Sequence, residues 1–470
     1  MWLHFQRAFG DILKFGLLIS LFYVSEVSAQ TSFSKAEILE DMAFLRSSLT
    51  DAHYNLYAYT SKEDFNNNYE RLKATVVKDS FDLLEATSLF QHIISKVNNG
   101  HTEIGFPGTS YIAYVRNGGT VFPLEIAFEK GTPLIRKNWS ANDSITPGDE
   151  IVSINGMTMN EVVSRIYPLV SAERPYFKNA KIEAFSFPRY YWQVFGRVDN
   201  FDVAIRQGER IERFQIEAID ALEGYEMKRE EVLNAKMTLR FFEDTAYLNP
   251  GNFSGDEQKY QAFIDSSFAV IRERKSKDLI IDFRNNQGGD DSFSNYLISY
   301  FADRPFTWNS RFTLKTSQFL KDHVIKEKDT TDAYWKEALN RKNGEIYEYA
   351  FEPYQPQPEH KRFKGRVYVL VNRQSHSQSA VAAAQIQDYG FATIAGEETG
   401  DFPSLYASIY HYSLPNTGIR VSVSKGYIIR VNGSTAEEGV IPEIYIKDFL
   451  LDEEDEILSE LLKMIDPAEQ

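Results

Sequence analysis

The sequence predicts an α/β protein with a helical N-terminal part and a β-rich insert, and three observations carry that prediction. First, continuous apolar runs, DLIIDF (278–283), RVYVLVN (366–372) and ATIAGE (392–397), alternate with the helical stretches SFSNYLISYF (292–301) and SAVAAAQIQDYG (379–390). Continuous apolar strands separated by helices are the pattern of a parallel sheet covered on both faces. Second, residues 34–96 carry apolar positions at helical spacing. Third, short strand-like runs punctuated by turn residues fill 107–225.

The elements follow in order. Arg7 and Lys14, the apolar run 15–24 and the small residues Val27-Ser28-Ala29 read as a secretory signal cleaved after Ala29. The run is well short of the roughly 20 residues needed to span a bilayer. Residues 30–106 are expected to form a helical domain, with Ser34 capping AEILEDMAFLRSSL (36–49). Its last helix, DLLEATSLFQHIISKV (82–97), meets a stop signal at Asn98-Asn99-Gly100.

Residues 107–225 are expected to be a small β-rich module with one or two helices. TVFPLEIAF (120–128) and TPLIRKN (132–138) flank the Lys130-Gly131 turn, and FDVAIRQGERIERFQIEAI (201–219) alternates with period two around a Gln-Gly turn. Residues 226–470 hold the α/β layer and a closing amphipathic helix, DEEDEILSELLKMI (452–465). Within them 305–364, polar, aromatic and proline-punctuated, exceeds an ordinary loop and reads as a lid or insertion.

Bulk properties narrow the chemistry. Among 470 residues there are 67 Asp and Glu against 51 Lys and Arg, a formal charge of −16. Such a surface repels phosphate backbones and anionic lipid, which argues against nucleic-acid and membrane-surface partners. The chain has no cysteine, which excludes thiol catalysis, thiolate metal sites and disulfides.

Three segments have the layout that nucleophilic catalysis needs. VYVLVN-RQSHSQS-AVAAAQ (367–385) places Ser375, Ser377 and Ser379 in a turn from a buried strand into a small-residue helix. A hydroxyl there is exposed and close to the positive end of the helix, although such serines serve equally as helix caps. LIIDFRNNQGGDD (279–291) ends a strand in Gly288-Gly289, where the backbone can approach a ligand and aim amide hydrogens at an oxyanion, or merely turn. NNGHTEIGF (98–106) sets His101 in a turn, alongside the purely structural reading of a lone histidine.

Taken together and in order, these segments resemble the C-terminal processing (tail-specific) serine proteases. NNGHT is similar to the family's histidine turn, ITPGDEIVSING (145–156) to the core of a PDZ domain, and IIDFRNNQGGD to its strand and glycine turn. SHSQSAVAAAQIQDYGFATIAGEETG (375–400) is similar to its serine turn and the strand beyond. YSLPNTGIRVSVSKGY (412–427) resembles a late strand pair. The resemblance spans nearly all of the chain after residue 29. It implies a ClpP/crotonase-like catalytic core, a PDZ-like insert at 107–225, and an exported, periplasmic or secreted bacterial endopeptidase acting through an acyl-enzyme. No metal or organic cofactor is implied, and the substrates are peptides or proteins, captured at the insert by strand addition. The insert contains none of the candidate catalytic residues, so it is expected to govern affinity more than chemistry.

By the same resemblance Ser377 is the nucleophile, with the amides of Gly288 and Gln378 as oxyanion donors and Gly289 the neighbouring alternative. Three positions depart from the family pattern. Phe402 stands where many members carry a lysine base, Ala380 replaces an acidic residue, and Asn99 replaces the Asp of the histidine turn. The missing lysine points to the tricorn-core-like branch, with His101 as base, activity rising through roughly pH 6–7, and Glu437 or Glu438 orienting the imidazole. Lys425 is the substitute base should His101 be structural. The departures also motivate a catalytically inactive peptide-binding pseudoprotease. An acyl-CoA enzyme on the related crotonase core is disfavoured by the secretion signal.

Overall fold

The computed structural model describes residues 32–233, 235–451 and 454–465. The expected signal at 1–29 lies outside the described residues, and no described helix is long and apolar enough to cross a membrane.

Three helices, Lys35–Ala52, Lys62–Ala74 and Leu83–Ile94, form the N-terminal part. Two start in reciprocal capping boxes, Ser34 with Glu37 and Asp82 with Glu85, so that two orphan amides are satisfied at each start. Beyond the third helix Asn98 takes the left-handed conformation (φ 54°) and turns the chain towards His101.

A mixed six-stranded sheet forms the centre of the C-terminal part. Its order is Thr238–Phe242, Thr245–Asn249, Asp278–Asp282, Arg366–Val371, Thr393–Gly396, Ile444–Tyr445, antiparallel at the first pair and parallel thereafter. The strand Asp278–Asp282 is buried throughout, which explains its unbroken apolar run. One face packs on the helices Glu257–Arg274, Asp291–Ile298 and Gln378–Tyr389, the other on Glu456–Ile465.

Residues 305–364 are not a free-standing lid. Arg311–Lys315 and Ile346–Glu348 join Arg420–Ile429 and Leu405–Ser413 in a four-stranded antiparallel sheet, and helices Gln318–Glu327 and Ala333–Asn340 pack beside it. The aromatic side chains that made the segment look like an insertion, Trp308, Phe312 and Tyr347, are core residues.

The insert holds the antiparallel sheet Leu124–Glu129, Thr132–Asn138, Glu150–Ile154, Asn200–Gln207, Arg210–Glu217, and the expected Gln-Gly hairpin pairs in register. It is richer in helix than its sequence suggests. Besides Met159–Ile166, helices Gly108–Arg116, Pro175–Phe185 and Phe187–Phe195 belong to this segment. The third of these four, Pro175–Phe185, runs beside the edge strand Leu124–Glu129, and Glu183 accepts the amide of Phe128. Strand addition at this edge would first have to displace that helix, whereas the opposite edge strand, Arg210–Glu217, is largely exposed.

Candidate active site

The turn after Arg366–Val371 distinguishes its three serines. Ser375 and Ser379 are fully buried and both donate to the carbonyl of Phe283, at 2.9 and 3.3 Å. These bonds tie the turn to the end of the neighbouring strand. Ser377 heads the helix Gln378–Tyr389 at φ 52°, ψ −127°, and its hydroxyl does not cap the helix. A non-glycine residue held there costs on the order of 1–3 kcal/mol, which the surrounding bonds sustain. Its amide donates to Oδ2 of Asp401 at 2.9 Å.

The same carboxylate oxygen lies 3.7 Å from Nε2 of His101, so one buried aspartate faces both the serine turn and the imidazole. Asp401 also accepts the amide of Phe402 through Oδ1. Burial raises its carboxyl to about 6, against the lowering effect of the Ser377 amide and of Lys181. Burial lowers His101 to about 4, with Glu173 pulling upward and Lys181 downward. The imidazole is therefore neutral through the neutral range, and its Nδ1 is buried without a partner. This moves any histidine-controlled limb below the expected pH 6–7.

Glu173, from the insert, completes the cluster. Its Oε1 accepts from the amide of Gly100 at 2.8 Å and from Nδ2 of Asn99 at 2.9 Å, and burial raises its carboxyl. Asn99, in place of the family's Asp, is thus a buried hub that ties the histidine turn to Glu173 and to the carbonyl of Tyr406. Phe177 packs edge-on against His376 at 5.2 Å, and Lys181 donates to the carbonyl of Gly100. The insert therefore supplies side chains to this cluster, although its sequence points to affinity more than to chemistry.

The glycine turn meets the serine turn closely. Gly288 has φ 85°, and a Cβ there would lie 2.6 Å from the amide nitrogen of Gln378; at Gly289 it would lie 1.9 Å from the carbonyl oxygen of Phe253. No side chain fits at either position. The amide of Gly288, expected as an oxyanion donor, is donated to Oδ1 of Asn286 at 2.7 Å, because an Asn side chain readily bonds the backbone two residues on. Among the described residues the amides of Gly289 and Gln378 have no hydrogen-bond partner.

The remaining sequence candidates lie elsewhere. Glu437 and Glu438 are exposed, and Glu437 acts electrostatically on Tyr59 and Tyr427. The carboxylates described against His101 are Asp401, Glu173 and Glu103. Lys425 is buried, donates to the carbonyl and hydroxyl of Ser408 at 2.9 and 2.6 Å, and is lowered to about 7 by burial. Phe402 is buried under the guanidinium of Arg174, and Ala380 is buried in the serine helix.

Sequence reasoning missed Asp401 and Glu173. Asp401 stands beside Phe402 in TGDFPS, whose departure from the family pattern is its signal; Glu173, in the stretch AERP, carries none. His101, Glu173 and Asp401 converge within 4.8 Å, a spacing that is also able to hold a cation.

Residues 244–446 match the family model described as peptidase family S41. No curated protein matches the sequence. Among solved structures the chain is similar to mature CPAF complexed with lactacystin, with 14% identity and a TM-score of 0.61 over 92% of this chain and 97% of that one. It is similar to mature CPAF alone at 15% identity and a TM-score of 0.60, over 92% and 96%. The photosystem II D1 C-terminal processing protease is similar at 16% identity and a TM-score of 0.42, over 87% and 93%. The two CPAF likenesses show a shared mixed α/β fold.

Proposed function

Since residues 244–446 belong to peptidase family S41, and the substrates of such a domain are peptides or proteins, we propose that the chain is a serine endopeptidase with Ser377 as nucleophile. The observation that carries this reading is the free hydroxyl of Ser377 on a strained helix start, beside the carboxylate that also faces His101. His101, neutral near pH 7, takes the hydroxyl proton as Ser377 attacks the scissile carbonyl. The developing oxyanion is met by the amides of Gln378 and Gly289. His101 then gives its proton to the leaving amine, and water releases the acyl group by the reverse sequence. Asp401, ionised above about 6, steadies the imidazolium. Glu173 holds the histidine turn through Gly100 and Asn99.

The sheet of residues 238–445 with its flanking helices supports a ClpP/crotonase-like core. The hairpin and the EIVSING strand support a PDZ-like insert at 107–225, with a helical domain at 30–106 before it. Export belongs to the same proposal: mature protein from its host should begin at or within a residue or two of Gln30, and an intact Met1 would remove it. For the chemistry, a serine-directed phosphonate should label Ser377 stoichiometrically. Labelling that persists in Ser377→Ala would misplace the nucleophile.

A further inference from the structure

Away from Ser377 and His101, a cleft of about 640 Å³ opens between the N-terminal helices and the insert. Its walls are the helices Lys62–Ala74 and Leu83–Ile94 on one side and Met159–Ile166 with Phe187–Phe195 on the other. Arg71, Lys96, Arg165 and Lys178 line it, with His92 beside Arg71, and no lining residue is a carboxylate. In a chain of net charge −16 this concentration of cations runs against the rest of the surface.

These cations are not used up by the fold. Among the described residues none of the four forms an ion pair. Arg71 donates to Oδ1 of Asn68, Lys178 to the carbonyl of Tyr167, and Arg165 sits over the ring of Phe195. The carboxylates that act on them do so at longer range, Glu161 on Arg165 and Glu173 on Lys178. Burial and the neighbouring charges of Lys181 and Lys96 push Lys178 down to about 8, the response of a cation that lacks a close counter-charge.

A second, independent observation concerns Gln193, 7% exposed on the cleft wall. Its Nε2 donates to Gln91 and Ser88, while its Oε1 is buried without a partner. A buried acceptor left unpaired is costly. Leu169, Pro168 and Val194 add apolar wall. The volume is far beyond that of a single small anion and within the range of sites that bury a short stretch of chain.

We propose that this cleft is a docking site for an acidic peptide segment, whose carboxylates meet Arg71, Lys96, Arg165 and Lys178. It rests on the peptidase reading only for the expectation that the docked segment belongs to a substrate. The site is distinct from the covered edge of Leu124–Glu129, so it captures chain without opening the insert. Lys96 and Asn98 lie just before the His101 turn, which places one end of the cleft next to the catalytic cluster.

The test reads binding without turnover. A fluorescent peptide containing a run of four Glu, and its all-Gln counterpart, are titrated by anisotropy into the full chain carrying Ser377→Ala. The Glu peptide should bind at least about tenfold more tightly, and the advantage should shrink at high salt. In the added double variant Arg71→Ala/Arg165→Ala, both residues being exposed, the Glu peptide should lose that advantage while the melting temperature holds. Equal binding of the two peptides, or an unchanged preference in the double variant, overturns the proposal. Millimolar inorganic phosphate that displaces the peptide completely would instead mark a small-anion site and overturn the peptide assignment. With Ser377 intact, the double variant should hydrolyse a short neutral peptide at the parental rate. Loss of peptide hydrolysis in the parent itself would fault the peptidase reading and leave the binding result standing.

Discussion

The serine turn and the insert segment 171–195 both face the candidate active site, yet they are built on opposite principles. The serine turn is a junction within the sheet: a buried strand, a pair of serines bonded to the carbonyl of Phe283, and a helix whose N-cap residue is held at φ 52°. The insert segment supplies Glu173 from the bend before the helix Pro175–Phe185, and Phe177 and Lys181 from that helix, to the histidine and serine turns. The first sets the position of the reacting hydroxyl itself, the second that of the turn carrying its base. Chemistry should therefore fail abruptly when the turn is altered, and by degrees when the insert is.

The largest effect expected is from Ser377→Ala, which removes the only hydroxyl of the turn that is not bonded to the Phe283 carbonyl. Peptide turnover should fall by at least ~10³-fold, since residual catalysis comes from positioning and the oxyanion donors alone. Melting should be unchanged, because the side chain fills no core. Parental turnover would dissolve the contrast between the two regions at its first term.

His101→Ala should follow, with a loss of ~10²–10⁴-fold in kcat. Asp401→Asn should cost about 10²-fold and also alter the pH profile. Burial raises the carboxyl of Asp401 to about 6 and lowers the imidazole of His101 to about 4. Above 6 the aspartate is ionised and the histidine neutral, the competent combination; as pH falls through 6 the aspartate takes up a proton and activity drops. An asparagine has no such proton to gain, so the limb near 6 should vanish. Its persistence in Asp401→Asn would assign the limb to another group.

Glu173→Gln tests the insert's share. It retains the shape and replaces the carboxyl that accepts from Gly100 and Asn99, and a loss nearer tenfold is expected, carried by kcat rather than KM. A loss as large as that of His101→Ala would erase the distinction between the two regions and make Glu173 a full partner of the imidazole.

The smallest effect belongs to Lys425→Met. Lys425 is bound to Ser408 and not to the serine turn, so activity should stay within about twofold and the acid limb should not move. Collapse of activity with His101→Ala near parental would restore a serine–lysine mechanism.

What the sequence determined by itself were the elements whose cause is local. DLIIDF and RVYVLVN are rich in apolar residues because both faces of their sheet are covered, and their short length and β-branched content mark them as strands. Ser34 and Asp82 announce helix starts, and Gly288-Gly289 announces a turn that no Cβ permits. Only the tertiary structure decided which carboxylates face His101. With 67 Asp and Glu in the chain, type carries almost no information, and the exposed Glu437 and Glu438 looked as suitable as any. Asp401 and Glu173 come to His101 from 300 and 72 residues away along the chain. Their selection rests on how the sheet end and the insert helices dock, and then on burial, which shifts the proton affinities of all three groups together.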